Sequence, residues 1–172
     1  MKKDIQTICN YKITKIPAGT LDFLKSNKEK IEYLKNNKVE GIEIREWHNL
    51  VPLIIRSSIA QLISGSSITP TLKANYVALG TDDTPANYWD VKLWAETRRD
   101  LFDSRYSIDN VAYLDVYYDK ANIWTLNLQE IWVFIDGTAT LNTWFLLSRI
   151  NMDQSLNWLE DLSINISFTI LW

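Results

Sequence analysis

The sequence predicts a mainly β protein: an antiparallel β-sandwich of jelly-roll or Ig-like type, with one buried amphipathic helix and an N-terminal helical arm. Short apolar segments alternate with turn signals at a spacing of roughly ten residues, which is typical of antiparallel sandwiches. Residues 163–170 show the clearest pattern, because apolar and polar side chains alternate without a break. Residues 50–64 instead carry a wide apolar stripe at helical spacing, which predicts a helix packed against a sheet.

Residues 1–38 are predicted to form an N-terminal arm outside a β-sandwich domain of residues 39–172. A loosely alternating segment, either a strand or an arm, ends at Pro17, and Thr20 can cap a lysine-rich helix over residues 21–36. This helix has too few apolar residues to form a core of its own. We therefore expect the arm to extend to a neighbouring molecule.

A polar loop follows the short strand predicted at residues 75–80. Gly80 ends this strand, and glycine supplies the positive φ that a turn often needs. Asp82 and Asp83 then predict a structural turn with solvated carboxylates. A calcium site that includes Asp90 is the alternative, but the spacing of these carboxylates matches no EF-hand.

The second half of the chain is predicted to consist mostly of strands. Residues 91–99 fit either a helix or an extended chain. Residues 107–118 have apolar side chains on both faces, which indicates a central strand, and residues 122–135 make one long strand or two. The Asp136-Gly137 pair is the strongest tight-turn signal in the sequence, so Gly137 is assigned to a structural turn.

One charge, Glu130, interrupts an apolar strand pattern. A carboxylate at such a position is costly unless it is paired. We therefore predict a buried ion pair between Glu130 and an arginine, with Arg149 or Arg98 as the partner. The alternative is an edge strand on which the carboxylate faces water.

Composition narrows the classes of partner. Hydrophobic residues make up 47% of the chain, enough for a sizeable core. The net charge is −3 and no long basic run occurs, which argues against nucleic acid as a partner. No run of ~20 apolar residues occurs, so we expect no membrane partner. The single cysteine, Cys9, suits assembly in a reducing cytoplasm.

We expect neither enzymatic activity nor a cofactor or metal. His48 is the only histidine, which leaves no histidine-based metal cluster. A nucleophilic site would require Cys9 to meet His48 across the fold. A hydrolase with two carboxylates is a third possibility, and clustered buried acids in a cleft would favour it.

Tyr88, Trp89 and Trp94 are candidates for an interface. The eight Trp, eight Tyr and five Phe exceed what a small core needs, and large aromatic side chains are enriched at protein–protein interfaces. Trp132 and Trp144 lie inside predicted strands and are assigned to the core. An exposed row of Trp and Tyr on one sheet would instead favour a carbohydrate-binding module.

The order of several short motifs resembles a family of small virion proteins from tailed bacteriophages and related tail-like particles. These motifs are HNLV at residues 48–51, ALGT at 78–81, L…E…R across 93–99, QEIWVF at 129–134, LLSR at 146–149 and the alternating strand at 163–170. The resemblance covers residues 43–170. Asp82-Asp83 departs from the pattern, because family members often carry a Gly-Thr pair there.

The resemblance implies a virion structural protein of the tail, in the baseplate, fibre or collar, with no active site. It implies other virion proteins as partners. Since virion rings and fibres repeat one interface, it also implies a homo-oligomer. The expected location is the virion, after assembly in the host cytoplasm. The alternative from another class is a carbohydrate- or receptor-binding β-sandwich module.

Overall fold

The structure of the protein is a computed structural model. It describes residues 6–40, 43–49, 53–65, 72–85, 87, 95–123, 127–140, 145–155 and 159–171. Strands account for 55% of the residues, so the predicted mainly β class is confirmed. In chain order the elements are β1 (Gln6–Pro17), α1 (Asn27–Asn36), β2 (Glu43–Asn49), α2 (Leu53–Ile63), β3 (Ala74–Gly80), β4 (Glu96–Leu101), β5 (Ser104–Ile108), β6 (Val111–Tyr118), α3 (Lys120–Ile123), β7 (Asn127–Ile135), β8 (Phe145–Ser155) and β9 (Glu160–Leu171).

The strands form two antiparallel sheets, an arrangement consistent with a β-sandwich. One sheet has five strands in the order β2-β1-β9-β6-β5, and the other has four in the order β4-β3-β7-β8. The jelly-roll or Ig-like type stays a prediction. The chain divides into two compact units: unit 1 comprises Met1–His48, Phe102–Asn127 and Ser155–Trp172, and unit 2 comprises Asn49–Leu101 and Leu128–Gln154.

The prediction of an N-terminal arm over residues 1–38 is wrong. β1 pairs along its whole length with β9 and lies between β2 and β9 in the five-stranded sheet. Cys9, Tyr11 and Ile13 are almost fully buried, so alternate residues of β1 face the core of unit 1. The boundary at residue 38 is wrong for the same reason, because unit 1 combines N-terminal, central and C-terminal segments.

α1 begins later than predicted, at Asn27 instead of residue 21. Ser26 is its N-cap, and Ser26 and Glu29 form a capping box in which each side chain accepts from the other residue's backbone N–H. The preceding turn still contributes to the core, because Leu21 packs in one buried cluster with Ile16, Ile31 and Tyr117.

The lysines of α1 attach the helix to unit 1. Lys30 pairs with Asp119, and Lys35 Nζ lies 2.8 Å from Asp115 Oδ2. Asn27 adds hydrogen bonds from its amide to Asp103 Oδ1 at 3.2 Å and to a backbone oxygen of β6 at 3.1 Å. The helix is therefore held along β6 by polar contacts that its own sequence does not reveal.

We expect Ile13→Ala to lower the free energy of unfolding by about 2–4 kcal/mol, because it leaves a cavity behind a buried side chain. The matched control on the same strand is Ile8→Ala, where the side chain is 38% exposed and the expected loss is below about 1 kcal/mol. Urea denaturation followed by circular dichroism measures both changes. Equal, small losses in the two variants would contradict the position of β1 in the core.

Two strand predictions need correction at their ends, and the structure decides part of one segment that the sequence left open. The strand predicted at 107–118 is a hairpin of β5 and β6, joined at Asp109, whose φ of 51° suits a tight turn. The segment 122–135 contains the end of the short helix α3 and the whole of β7. The ambiguous segment 91–99 holds the start of β4, which is extended from Glu96 onward.

The helix predicted at 50–64 is present as α2, and Gly65 with a φ of 75° follows its last turn. Among its described side chains, Ser58 is buried, while Leu62 and Ile63 are more than half exposed. The predicted buried stripe therefore does not extend through the last turn of the helix.

Candidate functional site

The charged residues singled out by the sequence lie in unit 2, either in its four-stranded sheet or in the loop after β3. β7 lies between β3 and β8, so Glu130 is not on an edge strand. In the register of β3 and β7, Glu130 is opposite Gly80. We call the group formed by Gly80, Asp82, Thr84, Glu130, Trp132, Arg149 and Asn151 the loop anchor.

Glu130 is fully buried, with 0% of its surface exposed. Its Oε2 accepts a hydrogen bond from Trp132 Nε1 at 2.7 Å and lies 3.1 Å from Arg149 Nη2, one of the two arginines that the sequence offered as a partner. Its Oε1 accepts a longer bond from the Ala95 N–H at 3.5 Å. Burial raises the pKa of Glu130, although the Trp132 hydrogen bond and the Arg149 charge oppose this shift.

Arg149 connects this carboxylate to the polar loop. Its side chain is only 2% exposed, and its Nη2 donates to the backbone oxygen of Thr84 at 2.7 Å. The same nitrogen lies 3.7 Å from Asp82 Oδ2, and the guanidinium lies 5.0 Å from the centre of the Trp132 ring. One cation therefore contacts a carboxylate, an aromatic face and the loop backbone.

The loop also holds itself in shape. Asp82 Oδ1 accepts hydrogen bonds from the Thr84 N–H at 3.3 Å and the Thr84 hydroxyl at 2.9 Å, which makes an Asx-type turn. The turn is present as predicted, but the Asp82 side chain is only 18% exposed, so its carboxylate is not the solvated group that was expected. Asn151 Nδ2 donates to the backbone oxygen of Asp82 at 3.3 Å and to the backbone oxygen of Thr84 at 3.0 Å. Asp83 is exposed beside this turn. In the part of the chain that the structure describes, no three His, Cys, Asp or Glu side chains form a metal-binding group.

Gly80 has a different role from the one predicted. It does not belong to the described glycines with positive φ, which are Gly19 and Gly65. A Cβ added at Gly80 would collide with Glu130 Oε1 and lie 2.7 Å from Glu130 Cγ and 2.9 Å from the Ala95 oxygen. Glycine is therefore needed here because the buried carboxylate occupies the space of a side chain.

Gly137 lies in the predicted turn after β7. The positive φ belongs to Asp136, at 52°, and not to the glycine. Asn75 clamps the turn, since its amide donates to the Gly137 oxygen at 2.8 Å and its Oδ1 accepts from the Gly137 N–H at 2.9 Å. This turn fixes the end of β7 against the start of β3.

A second buried ion pair extends the loop anchor along the sheet. A bulge in the pairing of β3 with β4 lies near Thr97, and Arg99 Nε contacts Glu96 Oε1 at 2.5 Å with both side chains fully buried. The Arg99 guanidinium lies 4.0 Å from the centre of the Phe134 ring, and Phe134 stacks on Trp132 at 5.9 Å. The result is a ladder of arginine, tryptophan, phenylalanine and arginine, which we call the arginine–aromatic ladder.

The predicted interface residues Tyr88, Trp89 and Trp94 lie outside the described residues. Arg98, the other predicted partner of Glu130, pairs with Asp100 at 2.5 Å. Sequence reasoning missed Asn151 and the Glu96–Arg99 pair. The i,i+3 spacing of Glu96 and Arg99 suggests a helical contact, and only the bulge explains it in a strand.

Within the described residues, no helix is long and apolar enough to cross a membrane. No protein-family model, curated protein or solved structure matches this chain. Its function is therefore inferred from its residues and their geometry.

Proposed function

We propose that this chain is a virion structural protein of a tailed phage or phage-like particle. It assembles by protein–protein contacts in the tail, in the baseplate, fibre or collar. Its partners are other virion proteins and further copies of the chain, and its location is the virion. No catalytic step is part of this proposal.

The observation that carries the proposal is the convergence of four separate motifs in unit 2. The ALGT motif contributes Gly80, the L…E…R segment contributes the Glu96–Arg99 pair, QEIWVF contributes Glu130 and both stacked rings, and LLSR contributes Arg149. Four of the six motifs that resemble the phage family thus contribute residues to the loop anchor and the arginine–aromatic ladder. Because the motifs that resemble the family build buried contacts of the fold, they support a structural role for this chain.

The contacts of Glu130 and Arg149 favour a structural role over a catalytic one. Glu130 contacts a backbone N–H, an indole and a guanidinium, while Arg149 contacts the loop backbone. A general acid or base must reach a substrate. A carboxylate with 0% exposure and three protein partners instead fixes the loop after β3 in one conformation.

Exposed edge positions offer contacts for assembly. β5 is an edge strand of the five-stranded sheet, and β4 is an edge strand of the four-stranded sheet. Leu101 at the end of β4 and Ile108 at the end of β5 are 57% and 56% exposed. Apolar side chains on sheet edges are typical of surfaces that pair with another chain.

The proposal is tested by deleting the coding sequence from the genome that encodes the particle and examining the products by negative-stain electron microscopy. We expect heads without complete tails, or tails without a distal or collar structure, and restoration by the wild-type chain supplied in trans. Normal particles with full infectivity in the deletion strain would contradict a structural role in the tail.

A further inference from the structure

The face of the five-stranded sheet opposite Tyr11 and Ile166 carries the apolar cluster of Ile16 and Tyr117 at one end and is polar farther along β1. On the core face, residues such as Tyr11 and Ile166 are completely buried. On the polar face, register pairs Lys12 of β1 with Asn165 of β9, and Asn10 of β1 with Ser167 of β9. These positions form a floor of amide, hydroxyl and ammonium groups.

An aromatic wall stands beside this floor. Tyr113 of β6 is directly opposite Ser167 in the sheet and lines a cavity of about 320 Å³ together with Asn10, Lys12 and Glu46. Tyr106 stacks on Tyr113 with ring centres 4.9 Å apart and an angle of 11° between the planes. Tyr106 thus holds the wall in place from the side away from β9.

A second cavity of about 560 Å³ lies next to the first, because Lys12 and Asn165 line both, and we call the two adjacent cavities the cleft. Among the residues that the structure describes, its lining includes the end of α1, contains Lys35 and Lys38, and contains no carboxylate. The Lys35 ammonium lies 4.4 Å from the centre of the Tyr106 ring and contacts Asp115, which also accepts a hydrogen bond from Asn165 at 2.9 Å. These contacts hold Asn165, which lies in the floor, and Lys35, which lies at the lysine-containing end of the cleft, in fixed positions.

We propose that this cleft binds an acidic oligosaccharide. An aromatic side chain can pack against the apolar C–H face of a sugar, as Tyr113 is placed to do in the smaller cavity. Side-chain amides both donate and accept, so Asn10 and Asn165 match the hydroxyl groups of a sugar. A carboxylate, sulfate or phosphate on a neighbouring sugar would meet Lys12 and Lys38 in the larger cavity.

The size and charge of the cleft favour this ligand over the other classes. Both volumes lie within the ~300–1,000 Å³ range typical of small-molecule sites. The lining is more polar than the apolar grooves that bind helical peptides. Glu46 in the smaller cavity disfavours a second anionic group there, so one end of the ligand is neutral and the other is acidic.

The test is binding of the purified full-length chain to an array of matched neutral and acidic oligosaccharides, with affinities of retained glycans measured by calorimetry. Tyr113→Ala removes the wall, and Ser167→Leu fills the floor without touching the core face. Phe23→Ala is the control, because this aromatic ring is 62% exposed and lines neither cavity. Circular dichroism confirms that each variant is folded.

We expect retention of acidic glycans, with binding weakened at higher salt because the lysine contacts are screened. Tyr113→Ala and Ser167→Leu should each weaken binding about tenfold or more, and Phe23→Ala should not change it. Retention of no glycan, of neutral glycans only, or of acidic glycans with equal affinity in all variants would overturn the proposal. Tight binding of nucleotides that exceeds that of every glycan would also overturn it. The test uses no particle, so its outcome is independent of the virion role.

Discussion

Gly80→Ala is expected to be strongly destabilising, with a loss of about 3 kcal/mol in the free energy of unfolding. The new methyl group would overlap the Glu130 carboxylate and lie 2.9 Å from the Ala95 oxygen, which is backbone and cannot rotate away. Glu130 must then leave its position between Trp132 and Arg149. For a chain of this size the loss corresponds to a fall in Tm of roughly 6–12 °C, measurable by calorimetry.

The matched control is Gly65→Ala. This glycine has a φ of 75°, but a Cβ there would meet no atom within 4 Å. The variant carries backbone strain without a collision, and we expect a loss of about 1 kcal/mol. A loss in Gly80→Ala no larger than that in Gly65→Ala would show that Glu130 does not occupy the space beside β3.

Arg149→Met is the second substitution with a large expected effect, a loss of about 3–5 kcal/mol. Methionine keeps much of the apolar stem but leaves Glu130 buried without its cation, and the Thr84 backbone oxygen keeps only the Asn151 amide as a donor. The control is Arg98→Met, because Arg98 is 31% exposed and pairs with Asp100, for which the expected loss is below about 1 kcal/mol. Urea denaturation measures both, and similar losses in the two variants would contradict the loop anchor.

The pH dependence of Arg149→Met follows from the direction of the Glu130 shift. A carboxyl whose pKa is raised on folding contributes stability that is fully present below its unfolded pKa, ordinarily 4.5, and is lost as the pH rises through the raised value. Removing the nearby cation raises this pKa further. The deficit of Arg149→Met relative to wild type should therefore shrink as the pH falls from about 8 to about 5. A deficit that grows as the pH falls over this range would contradict the burial of the Glu130 carboxylate beside Arg149.

The ion pair of the loop anchor was predictable in outline from the sequence. A charge at Glu130 inside an apolar strand must find a partner, and the chain has few arginines. Choosing Arg149 over Arg98 was not possible, because the choice depends on which strand neighbours β7. The contact between Gly80 and the Glu130 carboxylate also could not be predicted, since a glycine at the end of a strand by itself suggests a turn.

The placement of the N-terminal segment could not be predicted for physical reasons. Cys9 and Tyr11 count weakly as apolar residues, so β1 does not show the clean alternation of β9. Lys30 and Lys35 suggest a solvated helix, but their aspartate partners lie 89 and 80 positions farther along the chain. The capping box of Ser26 and Glu29 was a signal in the sequence that locates the true start of α1.

The most direct test of the proposed role is the copy number of this chain in gradient-purified particles, measured by quantitative mass spectrometry against a known major virion protein. We predict a fixed number of copies per particle, greater than one, because symmetric rings and fibres repeat a single interface. Absence from purified particles, despite abundant chain in the producing cells, would contradict the assignment to the virion.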